Sequence, residues 1–332
     1  MGILQAGVYD HSHITGLSRV PNANTRFAST GPRLEADYLD EAYRRARDLD
    51  TSPMTAAGVR LVWWRGDELG WHDLVAHPHA FAVVGRHTKC DVVLPNDPAI
   101  ALRHLLLRAT TLDDGSPALR VLDLRTGLGF HLDDDTERRA LVATGPLALR
   151  VGRYALVALP SRAELPEARP SPEIVESPRM PTHGRASWRS GSGRSQRTSV
   201  TTLPPAPMLD DVSQASQDVA AAGHSKVTLR RGEERASVDL PDEALDAGVL
   251  VGRAYRCEER LRSVLTESVS RVHLLLLREH GTVCAFDCAS MQGVYAGGQR
   301  VRRVRLPEEG GSLRLATKDP VTLEWHPRAP LA

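Results

Sequence analysis

Gly252-Arg253-Ala254-Tyr255-Arg256-Cys257-Glu258 reads Gly-Arg-x-x-basic-Cys-acidic, and the same pattern stands earlier in the chain as Gly85-Arg86-His87-Thr88-Lys89-Cys90-Asp91. Each follows a β-branched apolar run, Val249-Leu250-Val251 or Val83-Val84. A strand therefore delivers an arginine into a turn twice in one chain. A guanidinium so placed offers a planar fork of donors to an anion.

The landmarks downstream repeat in the same order. His104 opens an apolar run that closes on Arg108, and His273 opens one that closes on Arg278. A polar loop follows each, then a strand pattern ending in aspartate, Leu119 to Asp123 or Val283 to Asp287. Next comes a turn carrying Gly127 and Gly129, or Gly293, since glycine suits a positive φ. Gly-x-Leu-x-Leu (Gly145 to Leu149, Gly311 to Leu315) and a last short strand, Tyr154 to Leu159 or Pro320 to Trp325, close each copy. Short strands at regular turn spacing, with few helical periods, predict an all-β chain of two antiparallel β-sandwiches over 57–160 and 225–327.

Composition bounds the remaining choices. The chain has 332 residues, 41% of them hydrophobic, enough for two cores and their connections, and a formal net charge of +1 supplies no global field for nucleic acid. The four cysteines, Cys90, Cys257, Cys284 and Cys288, are too few and too uneven for a disulfide framework. Cys90 and Cys257 hold equivalent places, which suits small buried apolar residues better than ligands. The N-terminus lacks a basic stretch before a sustained apolar one, and no run of about 18 apolar residues occurs. The expectation is a cytoplasmic protein with neither signal peptide nor membrane span.

Residues 161–223 are rich in Pro, Ser, Ala and Arg, with Ser171-Pro172, Ser177-Pro178 and an arginine-rich stretch from Arg179 to Arg197. Such a segment buries too little to offset its ordering entropy and is expected as a disordered linker. Residues 1–33 read as irregular. Over 34–50, Leu34, Tyr38, Ala42, Ala46 and Leu49 recur at helical spacing, with acidic groups leading and Arg44, Arg45 and Arg47 trailing, which predicts a short N-terminal helix.

Gly252-Arg253, Ser270-Arg271-Val272-His273 and the turn at Gln292-Gly293 together resemble the forkhead-associated (FHA) family, whose pattern is Gly-Arg, Ser-Arg-x-His and a Ser/Thr-Asn-Gly turn in a β-sandwich. The resemblance extends over both sandwiches and implies a phosphothreonine-peptide reader built from loops at one end. A phosphothreonine brings about −1.5 to −2 charge and three acceptor oxygens, so its reader needs a cation with two parallel bonds plus neutral donors. On this reading Arg253 supplies the fork, Ser270 a hydroxyl and Arg271 a contact to phosphate or peptide, while Gln292 holds peptide backbone. Gly252 and Gly293 shape the loops, and His273, with His104 as its counterpart, braces them.

The turn departs from the family pattern: Met291 stands where a threonine is expected and Gln292 where an asparagine is, so Ser290 is expected to replace part of the lost hydroxyl. The first copy departs further. It has Ala101-Leu102-Arg103-His104 and Leu128 in its turn, which leaves Arg86 alone of the phosphate-facing set. Losing several charge-assisted bonds at about 1.5–3 kcal/mol each predicts a degenerate site and a scaffolding role, with Arg103, one position late, the residue able to change that.

Other chemistries find little support. Ser270, His273 and Asp287 resemble a hydrolase triad only by type, without a Gly-x-Ser-x-Gly elbow. His11 with His13, and His77 with His79, lack further clustered ligands for a metal, and no phosphate-binding loop or dinucleotide fingerprint calls for a cofactor. The expectation is a non-enzymatic adaptor with a phosphorylated partner from a Ser/Thr kinase pathway. The alternative is a structural module recognising unmodified partners. Hydroxyls of the linker and around Thr25 and Thr30, once phosphorylated, are candidate ligands in cis, because a tether keeps their effective concentration high.

Overall fold

Arg65-Gly66-Asp67-Glu68 and Arg231-Gly232-Glu233-Glu234 each close a two-residue hairpin, with Gly66 at φ +55° and Gly232 at φ +56°. Only glycine takes that conformation without steric cost, and such turns match the right-handed twist of paired strands. Across each turn the flanking arginine meets the glutamate, Arg65 to Glu68 at 3.0 Å and Arg231 to Glu234 at 3.3 Å. These hairpins open two β-sandwiches in a computed structural model that describes residues 15–19, 44–45, 56–112, 115–132, 137–161, 185–189, 195–202 and 224–328. The chain divides into two units, Ser12–Leu203 and Met1–His11 with Pro204–Ala332.

In the first unit the strands are β1 (Thr15–Arg19), β2 (Gly58–Arg65), β3 (Glu68–Val75), β4 (Phe81–Gly85), β5 (Val92–Val93), β6 (Leu105–Thr111) and β7 (Pro117–Asp123). They continue with β8 (Phe130–His131), β9 (Glu137–Arg138), β10 (Ala140–Thr144), β11 (Leu147–Val151), β12 (Tyr154–Ser161), β13 (Arg185–Arg189) and β14 (Ser195–Thr202). One sheet runs β1-β3-β2-β12-β11-β8-β9 and the other β13-β14-β10-β7-β6-β4-β5.

The second unit holds β15 (Ser225–Arg231), β16 (Glu234–Leu240), a short helix α1 (Asp242–Ala247), β17 (Val249–Val251), a 3-10 turn (Glu259–Val264), β18 (Leu274–Glu279) and β19 (Thr282–Asp287). It ends with β20 (Val294–Ala296), β21 (Gln299–Val301), β22 (Arg303–Arg305), β23 (Gly311–Leu315) and β24 (Val321–His326). Its sheets run β16-β15-β24-β23-β20-β21 and β17-β18-β19-β22. Apart from the added strands β1, β5, β13 and β14, this is the strand order of the first unit.

The His-Leu-Leu runs explain the packing. Leu105 and Leu107 face the inter-sheet core with Val84 and Val121, yet Leu106, on the opposite face, is also fully buried. Leu274 and Leu276 face the second core, and Leu277 behind them is equally dry. A strand covered on both faces reads as a continuous apolar run rather than an alternating one. In the first unit the opposite sheet also has a buried outer face, with Val62, Trp64, Leu69, Ala155 and Val157 clustered on it. Arg45 lies over the Trp64 ring at 4.6 Å and donates to the Gly66 carbonyl at 3.0 Å.

Several stretches differ from the sequence reading or fall outside the described residues. Of the helix expected over 34–50, Arg44 and Arg45 are described, and both are helical. Within 1–33, read as irregular, β1 pairs with β3. Within 161–223, read as linker, β13 and β14 form a hairpin that adds to β10. Edge pairing uses backbone donors and acceptors, so a hydroxyl-rich segment such as Ser195–Thr202 can join a sheet without an apolar face of its own. The rest of both segments lies outside the described residues. Among those residues no helix is long and apolar enough to cross a membrane.

Candidate functional site

The Gly-Arg motif of each sandwich wraps three consecutive carbonyls of the loop that precedes the histidine strand. In the second unit Arg253 Nε donates to Val269 O at 2.7 Å, Arg253 N to Ser270 O at 3.4 Å and Ala254 N to Arg271 O at 2.8 Å. The Cys257 thiol donates to that same Arg271 carbonyl at 3.3 Å. Gly252 is required because a Cβ there would stand 2.4 Å from this oxygen. The first unit repeats every contact. Arg86 Nε donates to Ile100 O, Arg86 N to Ala101 O at 3.1 Å, His87 N to Leu102 O at 3.1 Å and the Cys90 thiol to Leu102 O at 3.3 Å, with a Cβ on Gly85 meeting Leu102 O at 2.4 Å. Glycine, arginine and cysteine thus recur together because one loop backbone is held by all three. Burial pushes the Cys90 thiol up to about 12, against a smaller opposing pull from Arg103.

The histidines tie this loop to the glycine turn. His273 is fully buried, its Nδ1 accepts the Ser270 N–H at 3.0 Å and its Nε2 lies 3.0 Å from Gly293 O. An Nδ1 that accepts leaves the proton on Nε2, so the ring is the Nε2–H tautomer donating to Gly293. His104 does the same between Ala101 N at 3.1 Å and Gly129 O at 2.7 Å. Gly293 takes φ +82° and Gly129 φ +57°. Both nitrogens of His273 are thus directed at backbone groups, and the Ser270 hydroxyl meets the Met291 N–H instead.

Around this scaffold the second unit presents a free set of donors. Arg253 is exposed, and beyond its Nε bond its terminal nitrogens have no partner among the described residues. Arg271 is exposed as well. The Ser270 hydroxyl accepts the Met291 N–H at 3.0 Å, which leaves its own proton to give. Gln292 is half-buried, and its carbonyl oxygen accepts from the Thr317 hydroxyl at 2.6 Å, which leaves the amide NH2 without a hydrogen bond among the described residues. Met291 stands 53% exposed beside it.

Ser290 is a correction. Only 1% exposed, it accepts the Gly293 N–H on its hydroxyl at 3.0 Å, while its own N–H donates to Asp287 Oδ1 at 2.8 Å. It locks the turn from inside and does not substitute for a surface hydroxyl. The equivalent residue in the first unit is Thr126, whose hydroxyl donates to Asp123 at 2.6 Å. Burial raises the Asp287 carboxyl above its ordinary range, opposed by the Ser290 bonds and by Arg300 and Arg302.

An open polar cleft of about 530 Å³ adjoins Arg253, lined also by Arg231, Leu265, Thr266, Glu267, Ser268 and Asp319. Ser268 Oγ donates to Asp319 O at 3.1 Å, and Arg231 pairs with the Asp319 carboxylate at 3.3 Å. The loop carrying Thr317 and Asp319 therefore supports both the Gln292 turn and the cleft. Sequence reasoning did not single out Arg231, Arg300, Thr317 or Asp319. Arg231 alone carried a usable signal, the repeated Arg-Gly-acidic-Glu hairpin.

The first unit keeps the scaffold and lacks the donors. Arg86 is exposed, Ala101 and Leu102 stand where Ser270 and Arg271 do, and Leu128, 47% exposed, replaces Gln292. Arg103 occupies the place of Val272 and is 4% exposed, so it does not replace Arg271 at the surface. His87 is held below the usual histidine range by partial burial, then by Arg103 and Lys89, and adds no charge near neutrality.

The family model for the FHA domain matches residues 249–311. Within the second sandwich, residues 249–311 are therefore an FHA domain. Among solved structures, the chain is similar to the FHA-1 domain of Mycobacterium tuberculosis Rv1747, with 24% identity over 31% of this chain and 98% of that one and a TM-score of 0.24. The FHA domain of CT664 from Chlamydia trachomatis shares 17% identity over 32% and 99%, with a TM-score of 0.27. The yeast Dun1 FHA domain, solved with a doubly phosphorylated peptide derived from Rad53, shares 15% over 39% and 92%, with a TM-score of 0.29. No curated protein matches the chain.

Proposed function

We propose that the chain is a non-catalytic adaptor whose second sandwich binds phosphothreonine peptides, with the first sandwich a like fold serving as scaffold. One observation carries the reading: Arg253 is braced through its Nε by Val269 O at 2.7 Å while its terminal donors stay at the surface, in the same loop system as the Ser270 hydroxyl and Arg271. A phosphate dianion needs this combination of a pre-oriented guanidinium, a neutral donor and a second cation. Gln292, fixed by Thr317, supplies an amide for the peptide backbone beside the phosphate.

The same logic separates the two sandwiches. Arg86 is braced like Arg253, but its neighbours Ala101, Leu102 and Leu128 bring neither hydroxyl, charge nor amide. The first sandwich therefore serves as a scaffold or recognises an unmodified surface.

Fluorescence anisotropy of the full chain against paired phosphorylated and unphosphorylated threonine peptides tests the proposal. Micromolar binding confined to the phosphorylated set, lost in Arg253→Ala and in Ser270→Ala, supports it. A phosphopeptide array on which phosphorylated and unphosphorylated members bind alike overturns it in favour of the unmodified-partner reading.

A further inference from the structure

We propose that the first sandwich is a helix-binding domain, that it binds through the outer face of a sheet rather than through its loops, and that its occupant is the chain's own segment 34–50. Outside the β3-β2-β12-β11 sheet, Trp64 pairs with Leu69 and Ala155, and Val62 with Trp71 and Val157. Val62, Trp64, Leu69, Ala155 and Val157 belong to one buried cluster, with Trp71 packed against it. Alternation along the strands sets this cluster on the face opposite Leu61, Trp63 and Leu156, which lie in the inter-sheet core. The facing sheet of the sandwich therefore does not cover it.

The fold itself does not require an apolar face here. When the two opening hairpins are superposed in register, Val62 corresponds to Thr228, Trp64 to Arg230, Leu69 to Arg235, Trp71 to Ser237, Ala155 to Thr322 and Val157 to Glu324. Every counterpart is polar, and they bond to one another. Arg230 pairs with Glu324 at 3.1 Å, and the hydroxyls of Thr228 and Ser237 lie 2.9 Å apart. A contiguous apolar patch peculiar to one copy, where the same architecture is polar in the other, marks an interaction surface.

Arg45 identifies what sits on it. Arg44 and Arg45 are helical, Arg44 exposed and Arg45 half-buried. The Arg45 guanidinium lies 4.6 Å from the Trp64 ring and donates to Gly66 O at 3.0 Å, a carbonyl that also accepts the Trp64 indole N–H. On a helix, residues three and four positions away share a face. For Arg45 these include Ala42 and Leu49, and Tyr38 and Ala46 continue the same stripe. The face that Arg45 turns to Trp64 is therefore the apolar face of the helix the sequence predicts. Segment 34–50 falls in the unit of the first sandwich, Ser12–Leu203, and apart from Arg44 and Arg45 it lies outside the described residues.

Hydrogen exchange of the full chain tests the proposal, because a lone helix of about this length is marginal in water and its amide protection reports docking. Amides over 38–49 are expected to exchange at least about tenfold more slowly than in a synthetic peptide of residues 34–50. Ala46→Glu with Leu49→Glu should remove that protection and raise binding of an apolar dye, while peptides from β2 and β12 stay protected. Arg45→Ala should speed exchange over 38–49 by about two- to fivefold, the size of a partly desolvated cation–π contact. Arg44→Glu, on the exposed side, should change neither readout. Free exchange of 38–49 in the wild-type chain overturns the proposal whatever the variants do, and so does protection that survives the double glutamate variant. Protection that vanishes on dilution, together with a fall from dimer to monomer mass, assigns the face to a second copy's helix and overturns the occupant proposed.

Discussion

Arg253 donates from Nε to the carbonyl of Val269 at 2.7 Å, so the guanidinium is oriented by its own domain before any ligand arrives. A lysine keeps the charge but has one nitrogen, which cannot brace the loop and present a fork together. Arg253→Lys is expected to weaken phosphopeptide binding by at least about tenfold, approaching Arg253→Ala. Titration of both variants decides this, and a lysine variant within about twofold of wild type contradicts the bracing account.

Gly252 and Gly85 approach the carbonyls of Arg271 and Leu102 so closely that a methyl group would stand 2.4 Å from each oxygen. Backbone must then move in either sandwich. Gly252→Ala and Gly85→Ala are each expected to cost about 1–3 kcal/mol, measured by denaturant unfolding, and Gly252→Ala should also displace Ser270 and reduce affinity. An alanine variant of wild-type stability would show that the loop does not need this contact.

Much of this was legible in the sequence, and the order of landmarks carried it. Gly-Arg, the histidine-led leucine run, the aspartate and the glycine turn place the same strands in both units, because each residue type answers a backbone need local to its own turn. What the sequence hid depends on contacts between distant segments. Thr317 reaches the Gln292 turn from the loop between β23 and β24, Arg300 lies near Gly293 from β21, and nothing in their local sequence marks them. Ser290 was misplaced because residue type suggested a surface hydroxyl, whereas its spacing of three from Asp287 points it into the turn. The added strands β1, β13 and β14 pair through backbone bonds and leave no apolar period to read.

Asp287 is held above the ordinary carboxylate range by burial, so its folded pKa exceeds its unfolded one. The folded state then binds the proton more tightly, and stability linked to this group is greatest at low pH and falls as pH rises through the folded value. Asp287→Asn keeps an acceptor for the Ser290 N–H without the buried charge. Its melting temperature relative to wild type should be most favourable near neutral pH, with the advantage shrinking as pH falls toward the unfolded carboxylate range. An advantage that grows on acidification contradicts the assignment.

The Cys90 thiol, raised to about 12 by burial and donating to Leu102 O, is almost wholly protonated at pH 8. Since the thiolate is the nucleophile, iodoacetamide should modify Cys90 in the native protein far more slowly than in denaturant. Peptide mapping after timed alkylation measures it, and rapid native labelling would show the motif loop to be open.

The central claim is that two sandwiches of one architecture differ in function because only the second surrounds its arginine with free donors. Isothermal titration of the full chain with a phosphothreonine peptide tests it most directly, comparing wild type, Arg253→Ala and Arg86→Ala. The account predicts one site per chain, abolished by Arg253→Ala and untouched by Arg86→Ala. Two equivalent sites, or binding that persists in Arg253→Ala and disappears in Arg86→Ala, would contradict it.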